Sequence, residues 1–187
     1  MSDAPFLRRF IALIFDLFIS ISLFCGIILI IQYLEYDLPV KEFVDGDRGV
    51  MLKVYLLFAG FYLLYELFFS ALLSSSPGKI VVNAEDEYRR GHTFMNVFIR
   101  CLLKTITVML GPLMMVISLV VAIARKSSQV IHDLAARTRV TEETRNPRLI
   151  GLFFLAAAIA IFAYFYSRNL KDLIFDLSDI NVPRLYE

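Results

Sequence analysis

Apolar and polar residues fall in long blocks along this chain rather than in short alternation. From Phe10 to Leu34 about 25 residues run with one ionisable side chain, Asp16, and Arg8 and Arg9 stand at the mouth of the run. At about 1.5 Å per residue a helix of that length crosses the hydrocarbon core of a bilayer. Val50 to Leu73 is a second such block, with Lys53 near its start and Glu66 in its second half, and Leu149 to Ser167 is a third, without charge. The stretch Thr93 to Ala124 is apolar but uneven. Arg100 and Lys104 are four residues apart and so share a helical face; Gly111-Pro112 then invites a kink or break, and Leu113 to Ala124 is short for a span. The pattern predicts an all-α polytopic membrane bundle, with three full transmembrane helices and one broken segment that is re-entrant or interfacial.

The connections are polar. Glu35 to Gly49 is acidic with Pro39 and Gly46, a solvated loop. Ser74-Ser75-Ser76-Pro77-Gly78 ends the second block, Ile80-Val81-Val82 reads as a short strand, and Arg125 to Arg148 is a basic loop. In the tail from Arg168 to Glu187, Leu170, Leu173, Ile174 and Leu177 oppose Lys171, Asp172, Asp176 and Asp179, the spacing of an interfacial amphipathic helix. Orientation follows from the basic residues. If residues 93–124 return to the side they entered from, thirteen of nineteen Lys and Arg lie on the side of the N-terminus; a single crossing splits them ten against nine. The bias favours the hairpin, with the N-terminus cytoplasmic and the C-terminus outside.

Composition narrows the classes. The chain is 58% hydrophobic and 20% charged, with a mean hydropathy of +0.67, too apolar for an ordinary soluble domain. A net charge of +1 lacks the basic excess of a nucleic-acid binder, so no nucleic-acid partner is expected. The first apolar run is too long for a cleaved signal peptide and lacks its small-residue ending, so it is expected to stay as an anchor. Cys25 and Cys101 both lie in apolar stretches, giving neither a disulfide framework nor metal-ligand spacing. No nucleophile elbow or histidine pair is visible, and no catalytic residue, metal or cofactor is expected. The expected partners are the lipid bilayer and either further copies of the chain or a larger membrane complex, because three spans alone make a thin wall around any path.

In the hairpin topology Asp16 lies about seven residues in from Arg9 and Glu66 about eight from the end of its antiparallel span, roughly 10 and 12 Å below one surface. Arg100 and Lys104 enter from the same side to comparable depth, so two acids and two bases share a layer. A carboxylate in a span costs roughly 2.5 to 3.5 kcal/mol on insertion scales and is a functional-site hypothesis by default. One reading makes the layer a cation or proton relay. The other makes it a set of structural ion pairs that fix helix packing. Arg8 and Arg9 read as anchors that snorkel to phosphates; a direct Arg9–Asp16 bond is disfavoured by about 10.5 Å of axial separation. His132-Asp133 reads as a loop hydrogen bond or helix cap, His92 as solvated, Ser76-Pro77-Gly78-Lys79 as a turn, and Tyr62 as within reach of Glu66 one turn away.

These residues carry a resemblance. Phe6-Leu7-Arg8-Arg9-Phe10-Ile11-Ala12-Leu13-Ile14-Phe15-Asp16, then Ser76-Pro77-Gly78-Lys79, then Ile131-His132-Asp133-Leu134-Ala135-Ala136 with Thr138 resemble, in order, three motifs of the RDD family of prokaryotic membrane proteins. Arg9, Asp16 and Asp133 match its arginine and two aspartates, and Pro77, Gly78 and Lys79 its loop. The resemblance covers roughly residues 5–141 and departs at Arg137, where the family usually has glycine. It implies a multi-pass protein of a prokaryotic inner membrane and, for some members, monovalent cation and proton antiport. It divides the chain into a family-like membrane domain, residues 1–145, and an added helix and tail, residues 146–187. The competing reading is an accessory subunit of a larger complex, with the added helix and tail as docking surface.

Overall fold

The computed structural model of the chain describes residues 4–34, 46–88, 94–111, 114, 117, 120–121, 133, 138–142 and 146–170. Most of the acidic connection, His92, Pro112, most of the basic loop including His132, and the tail beyond residue 170 lie outside the described residues. Three helices are long and apolar enough to cross a membrane: α1 (Phe6–Tyr33), α2 (Arg48–Leu73) and α5 (Arg148–Phe165), the last continued by a π-helical turn, Tyr166–Leu170. Between α2 and α5 come a short helix α3 (Pro77–Val81), strand β1 (Glu85–Tyr88), helix α4 (Phe94–Met109) and strand β2 (Thr138–Thr141). The fold is an all-α membrane bundle with one two-stranded sheet at an end.

Local chemistry sets the boundaries. Asp47 caps α2, its carboxylate accepting from the Val50 N–H at 2.8 Å, and Ser74 ends it in the left-handed region at φ 51°. Residues 80–82 were expected to be a strand, yet α3 covers Ile80 and Val81. Pro77 at its first position pre-sets the helical φ, and the Gly78 N–H of the first turn finds an acceptor on α1, described below. The strand forms further on, in Glu85-Asp86-Glu87-Tyr88, where no apolar run announces it.

β1 pairs antiparallel with β2, Glu85 opposite Thr141 and Tyr88 opposite Thr138. The Ala4 N–H donates to Val140 at 2.9 Å, the Asp86 N–H to Ser74 at 3.1 Å, and the Asn146 side chain to Leu73 at 2.8 Å. The start of α1, the end of α2, both strands and the start of α5 therefore lie at one end of the bundle. Because β1 precedes α4 and β2 follows the segment after it, the stretch between the strands leaves and returns on the same side. α4 runs antiparallel to α2, from Arg100 past Lys104 beside Glu66 to the Met109 carbonyl, which accepts from the Tyr55 hydroxyl. Gly111, at φ 73°, follows, in a conformation that glycine adopts without penalty.

α4 turns its polar stripe inward. Val97, Arg100, Cys101, Lys104 and Thr105 are buried, while Phe94, Met95 and Ile106 are exposed; in a membrane the outer face meets lipid. The apolar core gathers Ile19 of α1, Tyr62, Tyr65 and Phe69 of α2 and Ala158 of α5. A chain of rings, Phe58–Tyr62–Tyr65–Phe69–Phe154, runs through it with centroids 5.0–6.2 Å apart, a spacing at which aromatic pairs add to plain burial. Cys25 and Cys101 are free, buried thiols.

α5 packs along α1, with Phe18 and Phe162 5.7 Å apart, and presses its first turns onto α3 at Gly151. A Cβ there would lie 2.8 Å from the Val81 nitrogen and 2.9 Å from the Pro77 oxygen, both backbone atoms that cannot swing away. Gly151→Ala is therefore expected to cost about 1–3 kcal/mol through overpacking, seen as a lower melting temperature in detergent. Gly60→Ala, where a Cβ meets nothing within 4 Å, should be neutral or stabilising by up to about 1 kcal/mol.

Candidate functional site

The inward stripe of α4 carries two cations one turn apart, and each holds carboxylates from other elements. Lys104 Nζ lies 2.5 Å from Glu66 Oε1 on α2 and 3.4 Å from Asp16 Oδ2 on α1, with the Tyr62 ring 6.0 Å away. Asp16 and Glu66 are wholly buried and stand at one height, since one ammonium serves both.

Asp16 is saturated. Its Oδ1 accepts from the Gly78 N–H at 2.8 Å and the Tyr65 hydroxyl at 3.3 Å; its Oδ2 accepts from the Ser76 hydroxyl at 2.5 Å besides Lys104. An α1 side chain thus does for α3 what an N-cap ordinarily does from within the chain, and its charge complements the dipole of that first turn. The contact requires glycine at 78, because a Cβ would meet the Ala12 oxygen and lie 2.7 Å from Asp16 Oδ1. Glu66 differs. Its Oε2 is buried with no hydrogen-bond partner among the described residues. Tyr62, one turn away, is close enough to feel its charge.

Arg100 was expected in the layer with Asp16 and Glu66; its ion pairs join it instead to two other acids. It donates to Asp86 on β1 and, through Nε at 3.0 Å, to Asp133. Arg9 reaches Asp133 at 3.4 Å and also donates to the Ala4 and Val140 carbonyls at 3.0 and 3.1 Å. It is thus turned into the protein rather than snorkelling out, while Arg8 reaches the Glu142 carbonyl at 3.5 Å. Asp133, expected as a loop bond or cap, joins the arginines of α1 and α4. Lys79 closes the cluster, with Nζ 2.8 and 2.7 Å from the two Asp86 oxygens, so the Ser-Pro-Gly-Lys stretch is the start of a buried helix rather than a plain turn.

Asp86 and the Lys79 pairing had no sequence signal. Asp86 sits in a run of three acids that reads as a solvated loop, and only pairing with β2 turns its side chain inward. Burial alone would raise its carboxyl, but the Arg100 and Lys79 charges outweigh that and hold it below the usual carboxylate range. Burial, with the adjacent Arg100 charge, pushes Lys79 below the usual lysine range against the pull of Asp86.

Four acids, Asp16, Glu66, Asp86 and Asp133, and four bases, Arg9, Lys79, Arg100 and Lys104, make up this network. No group of histidine, cysteine and acidic residues suited to a metal occurs among the described residues. In comparison with known proteins, a model described as the RDD family matches residues 4–137. That range includes Arg9, Asp16, Pro77, Gly78, Lys79 and Asp133, and leaves β2 and α5 outside. No curated protein and no solved structure matches the chain.

The depressed Asp86 carboxyl sets a pH dependence. A group whose folded pKa lies below its unfolded value, about 3.9 for aspartate, contributes stability above that value and loses it as pH falls through the folded pKa. Unfolding followed in detergent from pH 7 to 2 should therefore show an acid limb below about pH 4. Asp86→Asn should lower the plateau at neutral pH by about 3–5 kcal/mol and flatten that limb.

Proposed function

The chain belongs to the RDD family of membrane proteins, and from its buried charges we propose that it exchanges a monovalent cation for a proton through the layer of Asp16, Lys104 and Glu66. The observation that carries this is local charge. Two carboxylates share one ammonium, so the layer holds one negative charge in excess, while Arg9, Lys79 and Arg100 against Asp86 and Asp133 leave one positive charge in excess nearer the end of the bundle. In a low-dielectric interior an excess charge is costly. One proton or one monovalent cation neutralises it, and the two compete for the same place, which is the elementary requirement of an exchanger.

α4, at 16 residues, is too short for a full crossing on its own, which supports a short path. The excess of basic residues at the strand-bearing end supports placing that end, with the N-terminus, in the cytoplasm of a prokaryote and the end of α5 outside its inner membrane. Assembly of several copies would complete the wall of the path.

The saturation of Asp16 favours a second reading, in which the network only fixes packing and the protein is a non-transporting subunit of a larger complex. Reconstituted vesicles decide between them. A sodium or potassium gradient across vesicles holding the wild-type protein should drive a pH change in a trapped dye several-fold faster than in protein-free vesicles. An unchanged rate, with a stoichiometric partner recovered on purification in mild detergent, would establish the subunit reading instead.

A further inference from the structure

The two carboxylates on Lys104 are built differently, and resting on the exchange reading we infer that Glu66 is the group that takes up and releases the exchanged ion, while Asp16 is a fixed anchor. An ionised carboxylate has about four acceptor sites. Asp16 fills them with donors from α2, α4, Ser76 and the first turn of α3. Protonating it would place a donor where donors already point, and would release the helix that α5 presses against. Asp16 is therefore the structural member of the pair, tied into the helix contacts around it.

Among the described residues Glu66 has one hydrogen-bond partner, the Lys104 ammonium, on one oxygen. Its other oxygen is buried with no hydrogen-bond partner among the described residues, and the Thr105 hydroxyl, buried on the packed face of α4, is likewise without one among them. A buried polar atom left without a partner is costly, and a ligand bound at the free oxygen of Glu66 would remove that cost. A carboxylate oxygen is the kind of ligand a hard cation takes, and a single positive charge is what the excess charge of the layer calls for. In the opposite half-cycle the free oxygen of Glu66 carries a proton. Exchange is then substitution at one oxygen, with Lys104 holding the other throughout.

The test is covalent labelling of the full-length wild-type protein in vesicles with dicyclohexylcarbodiimide, an apolar reagent that adds to protonated carboxyl groups, followed by peptide mass spectrometry. The expected result is an adduct on Glu66, none on Asp16, and loss of at least half of the Glu66 adduct as sodium or potassium chloride is raised at constant ionic strength with choline. An adduct on Asp16, or on neither acid, would overturn the assignment. Flux measured beside it separates the two levels of the argument. Cation-driven flux retained in Glu66→Gln overturns the role of Glu66 and leaves the exchange reading standing. No flux in the wild type, with a cation-protected Glu66 adduct, overturns exchange but upholds Glu66 as the cation-binding acid.

Discussion

A charge taken out of water must meet its opposite, and in this protein that demand is met along one face of one helix. Arg100 and Lys104 sit one turn apart on α4, each between two carboxylates from different parts of the chain. Through them α4 is tied to α1, α2, β1 and the segment that carries Asp133. Removing one member leaves its partner buried without compensation, which costs far more than the pair gains by forming. The network is therefore weak as a source of stability but strong as a specification, since an arrangement that separates its members strands charges in a low-dielectric interior.

This explains how a segment too irregular to span is held in place. Nothing in a run of leucine, valine and isoleucine fixes where the chain turns or which side it leaves by. The Arg100–Asp133 bond and the β1–β2 ladder close the segment at its two ends, and Gly111 supplies a turn. α3 is held on the same principle from the other side. Asp16 supplies its cap, Gly78 lets the two backbones approach, and Gly151 lets α5 lie on top. The helix beyond the family-matched residues is thus in direct contact with the turn of chain that binds the family aspartate.

Much of this was legible in the order of residues. Three long apolar runs gave the spans, and the antiparallel relation of the first two put Asp16 and Glu66 level, because helical rise converts sequence distance into depth. The four-residue interval put Arg100 and Lys104 on one face. What could not be read was which acid each base would choose, since a difference of one helical turn in the docking of α4 reassigns every pair. Ile80-Val81-Val82 reads as a strand by propensity, yet Ile80 and Val81 are helical, in a helix whose first turn finds its acceptor on another helix 62 residues away. Asp86 hid among acids that look solvated, and Arg9 looked like a lipid anchor because its partner lies 124 residues further on.

The most direct test of the account is a double-mutant cycle on Lys104 and Glu66, each replaced by methionine singly and together, with unfolding free energies measured in mixed micelles. If charge compensation organises the interior, each single change should cost about 3–5 kcal/mol. The double change should then cost less than their sum by about 2 kcal/mol or more, because it removes a buried charge and its counter-charge together. Strictly additive losses would show that the two side chains contribute independently, and would contradict the claim that their pairing holds α4 in place.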